Sequence, residues 1–168
     1  MTRQARMFGI ETIKDYLEFC TQAVAELEQD QDNVLRAFAA ILALNHIPDW
    51  LQYKATDVER ELLGISGSRV GDSVMAHFKS QNAELKRVRD IANGFKHLQL
   101  THSTDVIAGY GRGPYGIGPY GAPYLLIDLG DHLPLDQRWD VGLCLCKRVL
   151  QWWRSKLSTL SQVTGGKQ

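Results

Sequence analysis

The sequence predicts a mostly α-helical single domain, a four-helix-bundle-like fold with a small β-hairpin and loop inserted before the last helix. Two observations lead to this prediction. Four segments carry apolar residues at the spacing of amphipathic or buried helices, and the stretch between the third and the fourth is rich in glycine, proline and tyrosine. Four such helices can enclose one core. We therefore expect one domain over residues 1–160, with the hairpin at about 104–130, and a flexible tail at 161–168.

The first two helices are predicted from their apolar patterns. Residues 10–28 have the 3-4-3-4-3 spacing of a bundle seam. The seam residues are Ile10, Ile13, Leu17, Cys20, Val24 and Leu27. Residues 34–47 are almost continuously apolar, which predicts a central, buried helix. Pro48 ends or kinks this helix because proline lacks an amide donor, and a further helix can start with Pro48 in its first turn.

The remaining helices are shorter or follow the glycine-rich stretch. Short helices are predicted at 57–63 and 72–80. The third main helix covers residues 84–98, and the fourth runs from about 136 to 160. The fourth helix is expected to place Trp139 near its core-facing seam.

A hairpin is predicted from two short runs of β-type residues, 104–107 and 124–129, which flank a long loop. The loop and its flanks read GYGRGPYGIGPYGAPY, a density of proline and glycine that excludes helix and regular strand. We call it the Pro-Gly-Tyr loop. Its evenly spaced tyrosines, Tyr110, Tyr115 and Tyr120, can dock on a protein partner, because tyrosine is favoured at interfaces. They can also pack on their own domain, or stack on nucleic-acid bases beside Arg112.

Composition narrows the class of protein. The chain has 168 residues, of which 44% are hydrophobic and 23% charged, as in globular domains. No apolar run reaches the length of about 18 residues that predicts a membrane span, and no secretory signal is recognised. Three cysteines form no paired framework, so we expect reduced thiols in a cytoplasmic protein. No cluster of ligands has convincing metal-binding spacing, and no cofactor is predicted.

The charges are distributed unevenly. Residues 1–62 hold 6 Lys and Arg against 11 Asp and Glu, whereas residues 63–168 hold 13 against 8. This asymmetry favours self-association or an anionic partner for the basic half, or it has no functional meaning.

The third main helix carries the densest set of chemically useful side chains. On a helical wheel they share an arc of roughly 120°, which we call the polar arc. Its members are Lys86, Arg89, Asp90, Asn93, Lys96 and His97. Cleavage of a phosphodiester needs a proton acceptor and a nearby cation. His97 suits the first role, Arg89 or Lys96 the second, and Asn93 can orient either group.

The polar arc has two possible interpretations. Eight residues separate Arg89 from His97, so their Cα atoms lie roughly 12 Å apart along the helix. A shared catalytic site would therefore form more easily across a homodimer. Lys86, Lys96 and Arg112 would then contact nucleic acid. The other reading is a solvated helix face with local ion pairs such as Lys86–Asp90.

A family resemblance bears on these readings. Residues 89–97, RDIANGFKH, look like a motif R-D-x-A-N-x-x-K-H of small bacterial and prophage proteins, and LNHIPDW at 44–50 resembles the same sequences. More distantly, the layout resembles HEPN-type helical bundles. That resemblance implies a homodimeric RNase or nucleic-acid-binding regulator in a toxin–antitoxin or phage-defence system, with Arg89 and His97 as the catalytic pair. His97 lies one residue further from Arg89 than in the HEPN signature.

The HEPN-like function is the leading hypothesis from the sequence, and one alternative belongs to a different class. In this alternative the chain is a non-enzymatic interaction or phage-assembly protein that docks a partner through the Pro-Gly-Tyr loop.

Overall fold

A computed structural model of the chain describes residues 9–65, 67, 71–97, 103–107 and 113–164. Within these ranges the side chains of 71–72, 95–97, 103–106 and 161–164 are not described. The described part is mostly helical, with a small antiparallel sheet inserted before the last helix, as the sequence predicts.

The first four helices occupy the N-terminal part of the chain. They are α1 (Ile13–Gln29), α2 (Val34–Asn45), α3 (Ile47–Lys54) and α4 (Asp57–Leu62). Thr12 and Thr56 begin α1 and α4, and each accepts a hydrogen bond from the amide three residues later. Asn33 begins α2, and its side-chain oxygen accepts hydrogen bonds from the amides of Leu35 and Arg36. The expected break at Pro48 is confirmed: α2 ends at Asn45, and α3 begins again with the proline in its first turn.

The second half of the chain combines three longer helices with the sheet. It contains α5 (Gly71–Gln81), α6 (Ala83–His97), β1 (Ser103–Ile107), β2 (Tyr124–Asp128), α7 (Leu135–Arg138), β3 (Trp139–Val141) and α8 (Gly142–Thr164). The predicted hairpin is confirmed as β1 and β2, which pair antiparallel with Ile107 opposite Tyr124.

The predicted fourth helix is wrong at its beginning. Residues 136–141 do not continue into α8 as one helix, because Trp139–Val141 form a third strand along β2, with Leu126 opposite Val141. Strand β2 therefore has a hydrogen-bonding neighbour on both sides. Three residues are too few for apolar periodicity to distinguish strand from helix. These residues form a strand because they pair with the open edge of β2. Trp139 accordingly lies in the sheet and not on the seam of the last helix.

The core lies where α1, α2, α6 and α8 pack together, and it extends under β2. All six residues of the predicted first seam contribute to the core: Cys20, Val24 and Leu27 are buried, and Ile10, Ile13 and Leu17 are partly buried against it. The helix begins later than predicted, since Thr12 caps it and Ile10 precedes α1. Residues Tyr124 to Ile127 of β2 are also buried. The amide of Leu125 donates to the carbonyl of Gln31 at 3.2 Å, which ties the sheet to the connection between α1 and α2. Helix α8 continues to Thr164, and residues 165–168 lie outside the described residues.

Candidate functional site

The described part of the polar arc lies on the solvent-facing side of α6. The opposite side of the helix is buried through Leu85, Val88, Ile91 and Ala92. Asn93 is exposed, Arg89 and Asp90 are half-buried, and Lys86 is exposed. Lys86 Nζ lies 3.5 Å from Asp90 Oδ2, the local ion pair that the solvated reading predicts.

Two residues of the polar arc cannot be placed at the level of their side chains. Lys96 and His97 belong to the last turn of α6, but their side chains lie outside the described residues. The pairing of Arg89 with His97 therefore stays a prediction.

Two further charged residues of α6, Glu84 and Arg87, connect this helix to α8 and β3 through ion pairs. Arg148 of α8 contacts both Glu84 of α6 and Asp140 of β3, the latter at 2.6 Å. Arg87 Nη1 lies 3.7 Å from the same Asp140 carboxylate, which also accepts the amide of Val141 at 2.8 Å. Only 10% of the Asp140 side chain is exposed. The sequence did not indicate this network, because its members come from three separate elements.

The described part of the Pro-Gly-Tyr loop, residues 113–123, is held against the ring of Tyr124. Tyr124 Oη donates a hydrogen bond to the carbonyl of Ile117 at 2.7 Å. A Cβ atom on Gly113 would lie 2.2 Å from Tyr124 Oη, and one on Gly118 would lie 2.4 Å from Cζ. Only glycine allows the backbone to approach the ring so closely. The loop and Ile107 enclose a groove of about 390 Å³.

The tyrosines at the tip of this loop point away from the domain. Tyr115 is 106% exposed and Tyr120 is 85% exposed, which disfavours the alternative that these two rings are buried against their own domain. Tyr110 and Arg112 lie outside the described residues. The described rings are therefore accessible, on a backbone that is fixed from below by Tyr124.

Sequence reasoning missed a groove of about 770 Å³ between α1 and α3. His46 lies at the junction between α2 and α3, and its side chain is exposed. Its Nδ1 atom lies 2.7 Å from Asp49 Oδ2. Aromatic side chains from α1 and α3 line the same groove. The spacing of His46 and Asp49 by three residues across a helix start was the available signal.

The three cysteines are free thiols. Burial raises the pKa of both Cys20 and Cys146 to about 12, so these two side chains stay protonated and act as small core residues. Cys144 is exposed on α8.

Comparison with protein-family models, with curated proteins and with solved structures finds no match to this chain. None of the described helices is long and apolar enough to cross a lipid bilayer.

Proposed function

We propose that this protein is a cytoplasmic, non-enzymatic interaction protein whose Pro-Gly-Tyr loop docks on a protein partner. The observation that carries the proposal is the exposure of Tyr115 and Tyr120 on a loop that is fixed to its own domain. Tyrosine is enriched at protein interfaces and among the residues that dominate binding energy.

The loop geometry supports a binding role for a second reason. Ordering a loop on association costs free energy, and a loop already held in position avoids much of that cost. The hydrogen bond from Tyr124 to Ile117 and the close approach of Gly118 hold the loop before any partner arrives. The loop therefore holds the backbone next to Tyr115 and Tyr120 in place without a partner.

The test places a photo-crosslinking amino acid at position 122, an exposed alanine of the same loop, in cells of the source organism and identifies the adduct by mass spectrometry. The affinity of the purified partner is then measured by calorimetry. We expect the double variant Tyr115→Ala, Tyr120→Ala to bind at least about 30-fold more weakly, the loss for a single hot-spot residue, and more if both rings are hot spots. Tyr53→Ala is the matched control, because Tyr53 is 79% exposed on α3, away from the loop. Equal affinities for the wild type and the double variant would contradict the proposal.

A second candidate function rests on α6. We infer it from the position of Arg89 and Asn93, which are four residues apart on the solvent-facing side of one continuous helix. In this proposal the chain is a HEPN-like RNase that acts as a homodimer in a bacterial defence or toxin–antitoxin setting. Arg89 would stabilise the developing negative charge on the phosphate, and His97 would accept a proton from the attacking hydroxyl. Asn93 would orient the phosphate, while Lys86, Lys96 and Arg112 would bind the RNA backbone.

This second candidate predicts that purified protein cleaves RNA in the presence of EDTA and sediments as a dimer. Arg89→Ala and His97→Ala should each lower the cleavage rate by roughly 100-fold or more. Lys147→Ala is the control, because Lys147 lies on α8, pairs with Glu28 of α1 and does not belong to the polar arc. Absence of cleavage by the wild type, or equal rates in all variants, would remove this candidate.

A further inference from the structure

The groove between α1 and α3 has the size of a small-molecule binding site. Its volume is about 770 Å³, within the range of about 300–1,000 Å³ that such sites occupy. The side chains that matter for binding are aromatic or acidic, together with one imidazole. They are Tyr16, Glu18, Phe19, His46, Asp49 and Trp50.

The aromatic part of the groove is a fixed platform. The rings of Tyr16 and Trp50 stack with centroids 4.5 Å apart and planes 16° apart, and Phe19 lies 5.8 Å from Tyr16. Tyr16 Oη donates a hydrogen bond to the carbonyl of Ala43 at 3.0 Å. Burial, together with the negative charge of Asp49, raises the pKa of Tyr16, so the phenol keeps this proton. Phe19 is 44% exposed and presents its ring to the groove.

The described side chains that line the groove carry more negative than positive charge. Asp15, Glu18 and Asp49 line it, and no Lys or Arg does so among the described residues. Asp49 contacts His46 through Oδ2, and a carboxylate offers about four acceptor positions, so further donors can be accommodated. The chain's own Lys54 also lies near this ring, with its Nζ atom 6.0 Å from the Trp50 centroid, so a bound cation shares the ring with it.

We propose that this groove binds a small organic cation, an ammonium group carried on an alkyl or aryl body. The accessible rings of the groove, those of Phe19 and Trp50, receive the apolar body and attract the positive charge. The carboxylates of Glu18 and Asp49 supply the opposite charge. An anion of similar size meets three carboxylates and is rejected. This binding site is independent of the Pro-Gly-Tyr loop and of the polar arc.

The probe for the experiment is benzyltrimethylammonium chloride, whose charge does not depend on pH. It is titrated into ¹⁵N-labelled protein, and the Trp50 indole signal is followed by NMR, with benzyl alcohol and benzoate as neutral and anionic comparisons. We expect a saturable shift with the ammonium and none with benzoate, and weaker binding of the alcohol. Asp49→Asn should weaken binding of the ammonium about 5- to 10-fold, and Phe19→Ala should weaken it about 3- to 10-fold.

Asp136→Asn is the matched control, because Asp136 is an exposed carboxylate on α7 that does not line the groove. This variant should bind the ammonium as the wild type does. A shift that stays linear with concentration, or equal effects of Asp49→Asn and Asp136→Asn, would overturn the proposal. Equal affinity for benzyl alcohol would also overturn it, because charge would then play no part.

Discussion

Replacing Trp153 by alanine should lower the free energy of unfolding by about 3–5 kcal/mol, the usual loss when a fully buried aromatic side chain is removed. Trp153 is 0% exposed in the middle of α8, and its ring meets the buried ring of Phe78 edge-on, with centroids 4.8 Å apart. The expected loss of stability has two parts: the apolar contacts of the ring are removed, and a cavity remains in the core. Urea unfolding followed by circular dichroism should show a lower midpoint with an unchanged slope.

Trp152→Ala provides the matched comparison, because Trp152 is the neighbouring tryptophan on the same helix but is only half-buried. Its loss should be clearly smaller. Trp153→Phe should cost less than its change in volume suggests, because Trp153 Nε1 is buried and has no hydrogen-bond partner within the described part of the chain. Equal destabilisation by Trp152→Ala and Trp153→Ala would show that the core is not centred on Trp153.

Gly118→Ala should detach the Pro-Gly-Tyr loop from Tyr124 and destabilise the protein by about 2–4 kcal/mol. Two penalties combine in this variant. Gly118 has a φ of +80°, a region that alanine rarely adopts, and the added Cβ would lie 2.4 Å from Tyr124 Cζ. Hydrogen-exchange mass spectrometry should show faster exchange over residues 113–123, and urea unfolding should give the change in stability.

Gly121→Ala separates the two penalties. Gly121 has the same φ of +80°, but nothing lies within 4 Å of its Cβ position. This variant should lose only about 1–2 kcal/mol, from backbone strain alone, and should keep slow exchange around Tyr124. Similar exchange rates in the two alanine variants would mean that contact with Tyr124 does not hold the loop.

Much of the fold could be predicted because its signals are local. The seam of α1, the threonine that begins α4 and the proline in the first turn of α3 each act over a few residues, and the structure follows them. Strand β3 could not be predicted in this way. Trp139–Val141 are extended because β2 offers a free edge, and the position of that edge is a property of the folded chain.

The candidate sites likewise combine features that local sequence signals predict with features that depend on the folded chain. The density of glycine and proline indicated a loop but left open whether its tyrosines pack on the domain or face a partner, and Tyr115 and Tyr120 are exposed. That Tyr124 would hold this loop from below was not visible in the sequence, because ring and backbone meet only after the hairpin forms. The groove beside His46 could not be predicted from the sequence, because its walls come from two helices. Phe19 and Trp50 are far apart in the chain and form no local pattern.

The short strand β3 has a consequence for how the protein behaves at high concentration. An open sheet edge is a template on which another chain can add a strand, and proteins limit this with short edge strands and with charges. β3 is an edge strand of three residues, and Asp140 in its centre is in contact with Arg148 and Arg87. A second molecule that paired along this edge would gain very few hydrogen bonds, because β3 has only three residues. The side of the sheet nearest α8 is thereby protected from aggregation through strand addition.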